Sequence, residues 1–119
     1  MSPDAIDPAE FAHLREITGD DLEFLDELID TYLEDGAVQL EAMRLAGDRD
    51  DAEAMIRPAH SLKSSSANVG ATGLTELCRA LEADARSGTI VDAAGRVGEC
   101  RRAFEDVRAA LLAERAARG

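Results

Sequence analysis

Apolar and small residues recur every three or four positions over most of the chain, and this spacing constrains the fold more than any other feature. Near the middle they fall at Met55, Ala59, Leu62, Ser66 and Val69. Toward the C-terminus they fall at Val97, Cys100, Phe104, Val107 and Leu111. Because an α-helix has about 3.6 residues per turn, steps of three and four place such residues on one face. The pattern therefore predicts amphipathic helices that each bury one stripe.

Turn and capping residues divide this pattern into five predicted helices, over about residues 8–18, 21–46, 51–69, 72–86 and 92–115. Asp7 and Pro8 form a helix start with an acidic N-cap and a proline at the first helical position. The first helix has one apolar side, made of Phe11, Leu14 and Ile17, and it is too short to be stable alone, so it must lie across the others on that side. Short loops, such as residues 47–50, make neighbouring helices antiparallel. We predict an all-α fold, an antiparallel four-helix bundle with a short extra N-terminal helix.

Three features modify the predicted helices. Pro58 lies inside the third helix, where its ring would clash with the carbonyl group of Ala54. We expect a kinked continuous helix there, and a second helix start at Pro58 is the alternative. Gly36 weakens the second helix by about 1 kcal/mol relative to alanine, which favours a bend. The end of the fifth helix, residues 114–119, is predicted to fray.

Length and charge restrict the class of protein. A chain of 119 residues suits a single domain over residues 1–119. Its net charge of −12 argues against binding to nucleic acid or to anionic membranes. No apolar run approaches the roughly 20 residues that span a membrane, and we expect a cytoplasmic protein. Cys78 and Cys100 are predicted to be core residues without a disulfide or metal.

His60 lies off the buried stripe of the third helix, on its predicted exposed side. Lys63, which is the only lysine, and Ser64 lie one turn further along. An exposed, uncrowded imidazole is a usable nucleophile, and a flexible ammonium can follow an anion that approaches it. No metal site is predicted, because His60 has no second His, Cys or Glu one turn away. His13, the other histidine, is predicted to be an ordinary surface residue of the first helix.

The sequence around His60 reads Ala59-His60-Ser61-Leu62-Lys63-Ser64, and the residues that follow at matching intervals are Gly70, Leu74, Cys78, Leu81 and Glu82. Over these roughly 24 residues the chain resembles the histidine-containing phosphotransfer (HPt) domain of two-component phosphorelays. The family pattern is A-H-x-L-K-G-x-[SA]-x-x-x-G followed by L-x-x-x-C-x-x-L-E. Ser64 stands where the family usually has glycine, and serine keeps most of the clearance.

The resemblance implies a phosphocarrier and not an enzyme. His60 would accept a phosphoryl group from a receiver-domain aspartate and pass it to another receiver aspartate, and Lys63 would steady the phosphoryl oxygens. The receiver would supply Mg²⁺ and most catalytic groups, so no cofactor is expected on this chain. The implied partners are response-regulator receiver domains and a hybrid sensor histidine kinase. We expect the protein itself to be a monomer.

We also expect a docking surface for the receiver around His60, because small or apolar side chains on an exposed face suit a partner. Its predicted residues are Ile56, Ser61, Ser64, Ala67 and Asn68, with Glu82 and Arg86 at the rim. One alternative is a helical docking module that binds a receiver without carrying phosphate. Another is the dimerisation and phosphoacceptor domain of a histidine kinase, which would need an adjoining ATP-binding domain for which the sequence has no glycine-rich motif.

Overall fold

The chain is all-helical, with no strand among residues 5–118, which are the part that the computed structural model describes. The five helices are α1 (Pro8–Ile17), α2 (Leu22–Asp48), α3 (Ala52–Asn68), α4 (Thr72–Ser87) and α5 (Ala93–Arg118). Within the described range, no helix has both the length and the hydropathy needed to cross a membrane. The all-α prediction is confirmed.

The four long helices pack in a ring around one core. α3 packs on α2 and on α4, and α5 packs on the same two helices, which places α3 and α5 diagonally across the bundle. The apolar stripes predicted for α3 and α5 are both buried in this core. A four-helix bundle with an additional N-terminal helix fits these five elements.

The short helix α1 begins as the sequence predicts and is fixed to the loop between α3 and α4. The carboxylate of Asp7 accepts a hydrogen bond from the backbone N–H of Ala9 at 2.9 Å, and Pro8 is the first helical residue. The N–H of Asp7 donates to the carbonyl oxygen of Gly70 at 2.7 Å. Gly70 has φ +78°, and a Cβ there would lie only 3.0 Å from the Cβ of Glu10. Glycine therefore permits both the turn and the close approach of α1.

Fewer apolar residues of α1 are buried than the sequence predicts. Phe11 is buried, but Ile17 is 67% exposed. The expectation that Ile17 faces the interior is wrong, because α1 ends at this residue and has only a small contact with α2.

Both helices are continuous at the positions where a kink or a bend was predicted. α3 runs through Pro58 as one helix, so the alternative of a second start there is wrong. α2 likewise runs through Gly36. A Cβ at Gly36 would lie 2.4 Å from Cε1 of Phe104 on α5. Gly36 therefore provides space for an aromatic ring where α2 meets α5.

Two helices continue beyond their predicted ends. α2 extends through Gly47 to Asp48, so the turn predicted at residues 47–50 begins later, at Arg49. Gly47 is buried where α2 meets the start of α5. α5 continues to Arg118, whereas its end was expected to fray from residue 114. The Arg115 guanidinium contacts carboxylates of α2 at 3.0 and 3.3 Å, which ties this last part of α5 to the bundle.

Candidate functional site

His60 projects from α3 beside α4 and makes a direct contact with that helix. Its side chain is 53% exposed, and its Nδ1 atom lies 3.0 Å from Oε2 of Glu82. An ionised carboxylate can only accept hydrogen bonds, so Nδ1 is the donor. In the neutral imidazole, a proton on Nδ1 leaves Nε2 with a free lone pair. The contact thus selects the tautomer in which Nε2 keeps its lone pair.

The carboxylate of Glu82 contacts three side chains, those of His60, Lys63 and Arg86. Lys63 Nζ lies 2.6 Å from Oε1. Arg86 Nη2 and Nε lie 2.7 and 3.0 Å from Oε2, the same oxygen that contacts His60. The Glu82 side chain is only 7% exposed, whereas the side chains of His60 and Arg86 are more than half exposed. The buried carboxylate is therefore the centre of the network, and the surface around it is cationic.

These contacts keep Glu82 ionised. The Lys63 ammonium contributes most, and together with Arg86 and His60 it lowers the pKa of the Glu82 carboxyl to about 2, against the opposing effect of burial. At neutral pH Glu82 is consequently a permanent hydrogen-bond acceptor for Nδ1 of His60.

Two predicted site residues occupy different positions from those expected. Glu82 was expected at the rim of a docking surface, and this is wrong, because α4 turns its side chain inward against α3. Lys63 was expected to face water, but its side chain is 24% exposed and paired with Glu82. A sequence signal for Glu82 existed. It follows Cys78 by four residues and precedes Ala85 by three, and both of these residues are on the buried stripe of α4.

The remaining predicted site residues surround His60 at the surface. Ser64, Ala67, Asn68 and Arg86 are exposed, and Ile56 and Ser61 are half-buried. Ala67 and Asn68 also line a groove of ≈ 640 Å³ between α1, α2 and α3. Apolar residues of the groove include Leu14, Ile17, Leu28 and Val69. The groove extends the surface around His60 toward α1.

Behind the site, α3 is fixed to α2 by a buried polar contact that the sequence analysis missed. The hydroxyl groups of Ser66 and Tyr32 lie 2.9 Å apart, and neither residue is more than 5% exposed. Burial raises the pKa of Tyr32 far above its usual value, although the Ser66 contact opposes this. Ser66 was interpreted only as a small packing residue. The tyrosine hydroxyl needs a partner when buried, which a polar residue in the α3 stripe supplies.

The two thiols and the other histidine are not part of the network of contacts around Glu82. Cys78 and Cys100 are buried in the core, as predicted, and their thiols are free. Among residues 5–118 there is no cluster of three or more His, Cys, Asp or Glu side chains that could hold a metal ion. His13 is an exposed residue of α1, 4.0 Å from a carboxylate oxygen of Glu16.

Comparison with known proteins identifies the family. The family model of the Hpt domain matches residues 27–110, which include most of α2, all of α3 and α4, and much of α5. A similar solved structure is the crystal structure of histidine-containing phosphotransfer protein B (HptB) from Pseudomonas aeruginosa PAO1. It has a TM-score of 0.85 and 32% sequence identity over 97% of each chain. No curated protein sequence matches the chain significantly. The chain therefore belongs to the Hpt domain family, whose members are phosphotransfer intermediates of two-component signalling.

Proposed function

We propose that His60 carries a phosphoryl group on Nε2, accepting it from a receiver-domain aspartate and passing it to another receiver aspartate. The observation that supports this most strongly is the 3.0 Å contact between Nδ1 of His60 and Glu82. It leaves Nε2 unprotonated in the neutral ring, on a side chain that is half exposed. The histidine is therefore prepared for attack without a general base on this chain.

The transfer step follows from this tautomer. The Nε2 lone pair attacks the phosphorus of an aspartyl phosphate, an N–P bond forms, the P–O bond to the aspartate breaks, and the carboxylate leaves. Because Nε2 carries no proton, none has to be removed, and the ring gains a positive charge. Glu82 accepts a hydrogen bond from Nδ1–H and stabilises that charge. Attack by a second receiver carboxylate on phosphorus reverses the step and returns neutral His60.

Two cations next to the ring favour an anionic reactant. Lys63, held 2.6 Å from Glu82, lies one turn from His60 and would steady the phosphoryl oxygens, with Arg86 as a second cation. Phosphoryl transfer depends on positioning and on charge stabilisation. In this proposal the receiver contributes Mg²⁺ and most catalytic groups. The chain itself is then a phosphocarrier and not an enzyme, and it binds no cofactor.

The receiver would dock on the exposed surface around His60, made of Ile56, Ser61, Ser64, Ala67, Asn68 and Arg86. Small side chains at positions 64 and 67 leave clearance for a partner, and the groove beside Ala67 and Asn68 offers it an apolar surface. Glu82 would support His60 from beneath and would not touch the partner. Receiver domains and a hybrid sensor histidine kinase are the partners that we propose.

We further propose that the protein is a cytoplasmic monomer with antiparallel neighbouring helices. The connections at residues 49–51 and 69–71 are short, which supports the antiparallel arrangement. A net charge of −12 supports a monomer that repels other copies of itself.

Transfer from a phosphorylated receiver domain to wild type, His60→Gln and His13→Gln tests the proposal. His13 is the matched control because it is the other histidine and is exposed. We expect an acid-labile, alkali-stable label on wild type and His13→Gln, and none on His60→Gln. An unlabelled wild-type protein that still binds the receiver would instead establish a docking module that carries no phosphate.

A further inference from the structure

An arginine outside the proposed docking surface lies directly beside His60. Arg57 precedes His60 by three residues on α3, so the two side chains are neighbours on the helix surface. Arg57 is exposed and faces away from the buried stripe of α3. Any protein that covers the exposed side of His60 therefore meets Arg57 within about one helical turn, roughly 5.4 Å.

Arg57 makes no ion pair among the described residues. Glu53 lies one turn earlier on the same helix, but no ion pair forms between the two. Five arginines on the other long helices do pair with carboxylates, whereas others on α5, such as Arg108, are unpaired like Arg57 among the described residues but lie far from His60. A guanidinium has five N–H donors in a planar fork that suits a carboxylate, and here that fork is unused within residues 5–118.

The charge around His60 is opposite to that of the whole protein. The chain has a net charge of −12, yet the charged network at His60 consists of the cations Lys63 and Arg86 around one buried carboxylate, with Arg57 next to it. Lys63 and Arg86 are already paired with Glu82, whereas no N–H donor of Arg57 is used by a carboxylate within the described residues, so its whole guanidinium fork can bind an outside carboxylate. A cationic patch on an acidic protein orients an anionic partner during its approach.

We propose that Arg57 is a docking residue that binds a carboxylate on the receiver surface bordering the reactive aspartate. This inference depends on the proposed function, because it takes the partner to be a receiver that brings an aspartate to His60. Arg57 does not take part in the transfer step. It holds and orients the partner, so its removal changes binding and its salt dependence and leaves the chemistry at His60 unchanged.

A comparison of Arg57→Glu with Arg108→Glu tests this role. Arg108 is exposed on α5, diagonally across the bundle from α3, and it also has no ion pair in the described part of the chain. Both replacements change the net charge equally. The probe is a receiver domain from the genome that encodes this protein, namely the one that binds the wild-type protein most tightly. This receiver domain is loaded with Mg²⁺ and beryllofluoride. Its affinity is measured by fluorescence anisotropy at low and high salt.

We expect Arg57→Glu to weaken binding roughly fivefold to tenfold at low salt and less at high salt, and Arg108→Glu to change it less than about twofold. Equal effects of the two variants, or no effect of Arg57→Glu, would overturn the role of Arg57. Binding is read without phosphoryl transfer, so these outcomes are separate from the proposed function. The proposed function is tested separately, and it fails if the wild-type protein binds the receiver but acquires no phosphohistidine.

Discussion

Nδ1 of His60 on α3 and Oε2 of Glu82 on α4 lie 3.0 Å apart, although 22 positions separate the two residues in the sequence. The same carboxylate contacts Lys63 and Arg86. Each of these four side chains is therefore oriented by a contact within the bundle before any partner arrives. A preformed site of this kind would lower the cost of arranging charged groups during the phosphoryl transfer that we propose.

Replacing Glu82 with alanine removes the acceptor for Nδ1 of His60. We expect phosphoryl transfer to His60 to fall about tenfold to a hundredfold, because the ring is no longer held in one orientation and tautomer. Glu82→Gln retains an oxygen that can accept from Nδ1–H, so its loss should be smaller. Initial rates of transfer from a phosphorylated receiver measure both effects, and circular dichroism verifies that both variants are folded. A wild-type rate for Glu82→Ala would show that the contact does not position His60.

The free energy of unfolding should fall at acidic pH because Glu82 becomes protonated. Its pKa in the folded protein is about 2, below the ordinary value of 4.5, so the folded state binds fewer protons than the unfolded state between these values. The stabilisation is complete above about pH 4.5 and is lost as the pH falls toward 2. We expect it to be on the order of 1–3 kcal/mol, since His60 and Arg86 are solvent-exposed partners.

Urea unfolding of wild type and Glu82→Gln between pH 2 and 6 measures this contribution. The difference in unfolding free energy between the two proteins should shrink as the pH falls, because only wild type has this carboxyl to protonate. Parallel curves over the whole range would contradict the low pKa of Glu82.

Gly36 should not tolerate a side chain, although alanine is the better helix former. A Cβ at this position would lie 2.4 Å from the Phe104 ring, so Gly36→Ala forces α2 and α5 apart. We expect a loss of about 1–3 kcal/mol in unfolding free energy. Gly98→Ala is the matched control, because the nearest atom there is 3.6 Å away on the flexible side chain of Arg102. That variant should gain roughly 0.5–1 kcal/mol, and equal effects at the two glycines would show that Phe104 is not the obstacle.

Enlarged side chains at positions 64 and 67 should block the receiver without unfolding the protein. Both residues are exposed on α3 near His60, so Ser64→Gln and Ala67→Gln cost little stability. We expect each to slow transfer by roughly tenfold, because the added atoms occupy the clearance that the partner needs. Ala109→Gln, at an exposed position of α5, is the control. Unchanged transfer to both α3 variants would show that the docking surface lies elsewhere.

The helices and their buried faces were predictable because they depend on local spacing. Met55, Leu62 and Phe104 fall on stripes with steps of three and four, and all three are buried. The start of α1 at Asp7 was equally readable from its acidic cap and the proline that follows. The burial at the end of α1 could not be predicted in this way, since the exposure of Ile17 depends on how far α1 reaches along α2.

The position of His60 could also be predicted, but its supporting contacts could not. Spacing along α3 indicates which residues are exposed, whereas the contact with Glu82 depends on the rotation of α4 relative to α3. For the same reason Lys63 was expected to be a free cation and is found paired with Glu82. The approach of Phe104 to Gly36 likewise joins two helices that are distant in sequence.

Phosphorus NMR of the protein, phosphorylated by a receiver domain, tests most directly whether His60 carries the phosphoryl group on Nε2. The two nitrogen-linked phosphohistidines have distinct chemical shifts and distinct couplings to ring protons. We predict a single phosphohistidine signal from the Nε2-linked form, present in His13→Gln and missing in His60→Gln. A signal from the Nδ1-linked form, or one that persists in His60→Gln, would contradict the role assigned to Glu82 and His60.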